Sequence, residues 1–315
     1  EIAPPNHTVI SATSSVAKLL WFMQSKEAIA AANYFLHQAD WLGFLLHGKL
    51  GVTDYHNALK LGYDVGELRY PDWMPSVSVQ LPRVVAPGTP IAPVKPELID
   101  RFQFSSNCQV CAGTTDSIAA FLASGAQSPG EAVTSLGSTL VLKLLSETRI
   151  DDARYGIYSH RWNNLWLVGG ASNTGGAVLR LFFSDRELQT LSAQIPIDRP
   201  SGLDYYPLVH RGDRFPINDP NLLPRLEPRP DDRVKFLHGL LEGVARIEAR
   251  GYQLLIELGA TSLRSIYTAG GGAKNAVWMQ MRSRLLGVPV ERSIQTEAAY
   301  GTAILAMRSR IRKSK

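Results

Sequence analysis

Three consecutive glycines in Thr268-Ala269-Gly270-Gly271-Gly272-Ala273-Lys274-Asn275 stand between an apolar, strand-like run and a helical one. Without side chains the backbone can close on a ligand, and a helix N-terminus offers amide donors and roughly half a positive charge to a phosphate. A nucleotide is the natural guest; a tight strand-to-helix turn with no ligand is the plainer alternative. Ser135-Leu136-Gly137-Ser138-Thr139 falls between two expected strands. Consecutive amides and hydroxyls at such a hairpin can form an anion-binding concavity, although an empty Gly-Ser turn uses the same residues. Asp116, in Gly113-Thr114-Thr115-Asp116-Ser117, precedes an apolar helical run and is first of all a helix cap. The same helix terminus favours negative charge, which suits a general base for a substrate hydroxyl.

Two other patterns lead nowhere. Cys108-Gln109-Val110-Cys111 has a spacing at which two thiols share a zinc ion or a disulfide, but these are the only cysteines and a structural zinc needs four ligands. The pair reads as small core residues in a reducing compartment, and no protein metal site is expected. Gly270-x-Gly272 opening a helix, with Glu291 ending the next strand, invites a dinucleotide reading and hence a dehydrogenase. Asn275 stands where the third glycine belongs, however, and the unit ends the chain instead of opening a doubly wound sheet. No G-x-x-x-x-G-K-[ST] run exists, so a P-loop is excluded.

The elements that must position these residues follow from periodicity. Residues 15–47 are expected to form two packed helices, with Leu19, Leu20, Phe22 and Met23 as one apolar stripe. Seven prolines between residues 71 and 96 mark extended or looping chain. Residues 108–112 read as a strand, followed by the Asp116 turn and a helix. Residues 131–145 read as two strands broken at 135–138, and 155–159 with 165–169 continue what looks like an antiparallel meander. A helix over 175–183 leads into a Pro-rich stretch up to Pro230, where Tyr205, Tyr206 and Phe215 are expected to pack a long loop onto the body. Residues 234–258 form a helix pair or one bent helix, with Glu242 and Arg246 as an i, i+4 pair. The chain ends as strand 265–269, glycine turn, helix 276–286, strand 288–291 and helix 297–307.

With 315 residues and 34.6 kDa the chain is long for one compact domain, and its composition is that of a soluble globular protein. The formal charge of +5 is matched by five basic residues, Arg308, Arg310, Arg312, Lys313 and Lys315, in the last eight positions. A neutral body argues against a nucleic-acid partner. No apolar stretch reaches membrane-spanning length, and the opening Glu1-Ile2-Ala3-Pro4-Pro5 has no signal-peptide pattern.

The order of these features carries a resemblance. A carboxylate at a helix start, a phosphate-cradling hairpin about 20 residues later and a triple-glycine turn near the end are similar to the FGGY carbohydrate kinases. The runs that carry it are Gln38-Ala39-Asp40-Trp41-Leu42, Thr53-Asp54-Tyr55-His56-Asn57-Ala58-Leu59-Lys60-Leu61-Gly62-Tyr63, Cys111-Ala112-Gly113-Thr114-Thr115-Asp116-Ser117-Ile118-Ala119-Ala120-Phe121, Ala132-Val133-Thr134-Ser135-Leu136-Gly137-Ser138-Thr139, Gly169-Gly170-Ala171-Ser172-Asn173 and residues 268–278. They resemble most the pentulose kinases of cyanobacteria and plant plastids, of the D-ribulose or xylulose-kinase-like type. The resemblance implies an α/β, actin/hexokinase-like (ribonuclease H-like) ATPase fold in two domains, residues 1–128 and 129–315, the first of them incomplete. It implies ATP and Mg2+, a small sugar as partner, no membrane, and the chloroplast stroma or otherwise the cytoplasm.

By the same resemblance Asp116 is the catalytic base, Gly137 and Ser138 belong to the second phosphate loop, and Gly271, Gly272, Asn275 and Trp278 hold the adenosine. At helical spacing from Met281, Trp278 also suits a core position. Kinases of this family open with a first phosphate loop, D-[FL]-G-T, and neither Asp54, Asp116 nor Asp204 is followed by Gly-Thr. The loop and the family's opening β-meander are expected upstream of residue 1, which would make the chain an N-terminally truncated kinase with apolar helix faces left uncovered. A non-catalytic short form that binds nucleotide or a partner is the alternative, and a dehydrogenase a distant third.

Overall fold

The computed structural model describes residues 3–5, 7–24 and 32–311, without the side chains of 309–311. The opening dipeptide, positions 25–31 of the expected helical region, and Arg312, Lys313 and Lys315 of the expected basic tail lie outside the described residues. The chain divides into two compact units: residues 1–123 with 297–315, and residues 124–296.

In the first unit, α1 (Ser15–Met23) starts where the Ser14 side chain accepts from the Ala17 amide at 3.2 Å. α2 (Gln38–His47) starts where the Asp40 carboxylate reaches back to the His37 amide at 2.9 Å. β1 (Val52–Asp54) runs directly into the short α3 (Tyr55–Ala58) and pairs in parallel with β2 (Arg83–Val85). β3 (Pro90–Pro93) pairs antiparallel with β4 (Gln109–Cys111). The proline-rich stretch alternates short strands with turns, Met74 N donating to Pro71 O and Thr89 N to Ala86 O, until Pro96 opens α4 (Pro96–Phe102) at the position where a missing N–H costs nothing. α5 (Asp116–Ala123) follows β4. Leu19, Leu61 and Val79 form a small core here. Trp21 and Phe22 on α1 and Trp41, Leu42 and Leu45 on α2 are exposed, so these helices carry uncovered apolar faces. Cys108 and Cys111 are half-buried and not in a disulfide, rather than buried in the core.

The second unit is built on one six-stranded sheet. β5 (Glu131–Leu136), β6 (Leu140–Ser146), β7 (Tyr158–Trp162) and β8 (Leu165–Ser172) are followed by α6 (Gly176–Arg180), α7 (Asp185–Ser192) and α8 (Arg233–Glu257). β9 (Ser265–Ala269), α9 (Ala276–Leu286) and β10 (Val290–Arg292) complete it. The spatial order is β10-β9-β5-β6-β8-β7, with β10, β9 and β5 parallel and the rest antiparallel. A simple meander would have placed β7 beside β6; the structure places β8 there instead. β8 carries the Gly169-Gly170 pair, and a Cβ at Gly169 would strike the Leu142 carbonyl of β6, so the missing side chain is what permits this close approach. The more polar β7 takes the edge.

α8 is a single helix of 25 residues whose Leu237, Leu240, Leu241 and Val244 are all but fully buried in a core shared with Leu140, Leu142 and Leu144. Its expected Glu242–Arg246 pair is present at 3.3 Å. Tyr205, Tyr206 and Phe215 pack the long connection onto the same core. α7 lies within that connection and was not expected. Its signal is the Ser184-x-x-Glu187 capping box, in which the Ser184 side chain accepts from the Glu187 amide and Glu187 accepts from the Ser184 amide.

The last helix, α10 (Ala298–Ile311), belongs to the first unit and packs on α5. A Cβ at Gly301 would run into the Ala119 carbonyl, so the two helices meet backbone to backbone. The second compact unit accordingly spans 124–296. Among the described residues no helix is long and apolar enough to cross a membrane.

Candidate functional site

In the second unit, β5 and β9 are parallel neighbours in a register that pairs Thr134 with Thr268 and Ser135 with Ala269. Both strands end at one edge of the sheet, where open α/β sheets bind ligands. Below that edge the ends are tied by a buried ion pair. Arg282 of α9 holds Glu248 of α8 through two hydrogen bonds of 2.6 Å and donates to Thr268 Oγ1 at 2.8 Å. Thr134 Oγ1 donates to Glu248 at 2.5 Å and lies 2.9 Å from the Tyr252 hydroxyl. Both charged side chains are 0% exposed. An ion pair so deep repays its desolvation only with good geometry and further hydrogen bonds, and the two threonines supply them, tying β5 and β9 to α8 and α9.

The turns leaving these strands touch. Gly270, with φ 83 and ψ −175, occupies a backbone region open essentially to glycine, and a Cβ there would lie 2.6 Å from the Leu136 carbonyl oxygen and 3.1 Å from Gly137 N. At Gly272 a Cβ would lie 2.6 Å from the Leu136 side chain and 3.1 Å from the Trp278 ring. Gly271 is different: it is exposed, and a Cβ would meet nothing within 4 Å. A third turn, between β8 and α6, closes on the hairpin. Leu140 N donates to Thr174 O at 2.7 Å, Gly176 N to Gly137 O at 2.8 Å and Ala177 N to Ser138 O at 3.1 Å. Gly175, at φ 146, sits where a Cβ would be 2.7 Å from Ser138 O. The Ser138 and Thr139 amides have no acceptor among the described residues. Two adjacent N–H groups on a rigid bend are what an anion needs.

Of the residues singled out in the sequence, Gly137, Ser138, Gly271 and Gly272 are thus brought together. Asn275 caps α9, its Oδ1 accepting from Trp278 N at 3.0 Å, while its Nδ2 donates to Ser192 Oγ of α7 at 2.8 Å. Trp278 is a core residue, 2% exposed, with Nε1 donating to Leu241 O at 2.9 Å. Its ring supports the Gly272 turn from beneath, a core placement its spacing from Met281 also suited. The Gly175-Gly176 turn was missed, although it repeats the strand–glycine–helix pattern of residues 268–276.

Asp116 belongs to the first unit. It is the first residue of α5, exposed, and its Oδ1 accepts from Ser117 N at 2.6 Å; the Thr115 carbonyl before it takes the first helical amides. The preceding turn is held from β1 and α3: Thr114 Oγ1 and His56 Nδ1 are 2.7 Å apart. His56 is fixed in turn by Asp54, whose carboxylate accepts from the amides of His56 at 2.8 Å and Asn57 at 3.1 Å. Burial raises the Asp54 carboxyl to about 6 despite those donors, with Asp40 adding a smaller push in the same direction.

The profile of the FGGY family of carbohydrate kinases, C-terminal domain, matches residues 132–310, more than half of the chain. The chain belongs to the FGGY carbohydrate kinase family. The xylulose kinase of Haemophilus influenzae is 25% identical over 311 residues, covering 93% of this FGGY chain and 62% of its own length. Among solved structures, the gluconate kinase of Lactobacillus acidophilus superposes with a TM-score of 0.82 at 20% identity, covering 98% of this chain and 66% of its own. The xylulose kinase of Rhodospirillum rubrum gives 0.80 at 22% identity, covering 96% and 64%. The fold is therefore the expected α/β, actin/hexokinase-like one, and membership in this family removes the dehydrogenase reading of the glycine turn. The chain spans about three fifths of the length of the curated relatives it matches.

Proposed function

We propose that this chain is part of an ATP-dependent kinase that phosphorylates a ketopentose at its primary hydroxyl, D-ribulose before D-xylulose. The observation that carries the proposal is the meeting of the Gly137-Ser138 hairpin with the Gly270–Gly272 turn at the ends of parallel β5 and β9. The fit to a nucleotide rests on the unpartnered amides of Ser138 and Thr139 and on the open space over Gly271. Those amides bind the phosphate tail, Gly271 and Gly272 let the adenosine lie against bare backbone, and Asn275 and Trp278 hold that backbone still. ATP supplies the group that is transferred. Asp116 takes the proton of the attacking hydroxyl at its free carboxylate oxygen, and the α5 N-terminus favours the charge it must carry beforehand.

Phosphoryl transfer asks a protein mainly to position its reactants and neutralise charge. The Mg2+ implied by the family would neutralise charge on the phosphates; among the described residues no group of three or more His, Cys, Asp or Glu side chains is arranged to hold it. Similarity to curated xylulose kinases supports a pentulose acceptor, and the resemblance of the sequence motifs to pentulose kinases of plant plastids is the ground for proposing the chloroplast stroma.

The test is a coupled ADP-release assay across D-ribulose, D-xylulose and L-ribulose, beside calorimetric titration with ATP. Turnover greatest with D-ribulose is expected. ATP binding without turnover on any sugar favours the non-catalytic short form, and absence of both overturns the proposal.

A further inference from the structure

The guanidinium of Arg292, the last residue of β10, donates to one backbone oxygen, Ala273 O, through both Nε at 3.2 Å and Nη2 at 3.1 Å. Ala273 directly follows the triple glycine, within the same turn, Gly271–Lys274. Arg292 itself pairs with Thr268, the residue two places before that turn begins. The turn is thus gripped from two sides, by Leu136 and Gly137 of the hairpin against Gly270 and by a charged fork from the outer strand. Three glycines in a row lose more conformational freedom on ordering than any other tripeptide, so such a turn binds tightly only if something outside it fixes its shape beforehand. A planar guanidinium engages one carbonyl with two N–H groups, which an ammonium cannot do.

We propose that Arg292 is a positioning residue for the nucleotide: it locks the Gly270–Asn275 backbone into its binding shape through the Ala273 carbonyl, without touching the phosphates. This rests on the nucleotide reading of the same turn. It predicts a uniform effect on all adenosine ligands and a failure of lysine to substitute for arginine.

The experiment is calorimetric titration of the chain and of Arg292→Ala and Arg292→Lys with AMP, ADP and a non-hydrolysable ATP analogue, with thermal unfolding of each variant recorded alongside. Both variants are expected to bind all three nucleotides about tenfold more weakly, the scale of a charge-assisted hydrogen bond; because the same bond holds the empty turn, the unfolding midpoint falls by at most about 5 °C, the equivalent of that factor. Wild-type affinity in Arg292→Lys, a loss that grows with the number of phosphates, or a fall in midpoint larger than the tenfold factor accounts for each overturns the inference. If the unaltered chain binds none of the three, the nucleotide reading fails first and the clamp falls with it; if it binds them and the variants do too, only the clamp fails.

Discussion

Asp116 and Asp54 are carboxylates in the same unit with opposite surroundings. Asp116 is exposed at the start of α5 with one intrachain donor, whereas Asp54 is buried and accepts from two amides and the Asn57 side chain. If Asp116 is the base, Asp116→Asn lowers ADP release by about a hundred- to ten-thousand-fold while the calorimetric affinity for ATP persists. Full turnover in the variant would remove Asp116 from the role. Asp54 predicts a pH signature in stability instead. Its folded carboxyl is raised from 3.8 to about 6, so between those values the folded state binds more protons than the unfolded one. Its contribution is present in full below about pH 4 and is lost as the pH rises to about 6, an effect on the order of 2–3 kcal/mol. Denaturant melts of the chain and of Asp54→Asn should therefore diverge across that interval, the native chain losing stability relative to the variant as pH increases.

At the scale of elements, the three glycines of the β9–α9 turn are not equivalent. Gly270→Ala forces a Cβ against the Leu136 carbonyl in a backbone region closed to alanine, and should cost about 1–3 kcal/mol of unfolding free energy. Gly271→Ala meets no protein atom and leaves stability within about 0.5 kcal/mol of the native chain. Any loss of ATP affinity in Gly271→Ala then reports a ligand in the space the methyl enters; unchanged affinity would place the nucleotide elsewhere. The helix pair behind the turn predicts a third outcome. Glu248→Ala strands the Arg282 guanidinium in the core and should destabilise the second unit by about 3–5 kcal/mol, read by calorimetric or denaturant unfolding.

For the whole molecule, the consequential feature is that α10 returns to the first unit. Gly301→Val drives a side chain into the Ala119 carbonyl, so hydrogen exchange should accelerate across residues 116–123. Protection of β5 and β9 should persist, because their core lies within 124–296. Equal loss in both places would mean that the two units do not unfold separately.

Local physics made much of this legible in the sequence. The glycine turn, the β5–β6 hairpin, the start of α5 and the limits of β9 and α9 follow from strand and helix periods and from residues that cap or break them, which act over a few positions. The order of those motifs was enough to indicate the family. Long-range packing settled the rest. The Gly169-Gly170 pair within β8 admits a close backbone approach, but a glycine pair does not name its neighbour; that β8 and not β7 lies against β6 is seen only where a Cβ at Gly169 would meet the Leu142 carbonyl. For Trp278 the spacing from Met281 suited a core position while the family resemblance implied a contact with the adenosine, and the structure buries its ring with Nε1 donating to the Leu241 carbonyl. Arg292 has no local signature at all: its meaning comes from a carbonyl 19 positions away in sequence, brought within reach by the parallel pairing of β10 with β9.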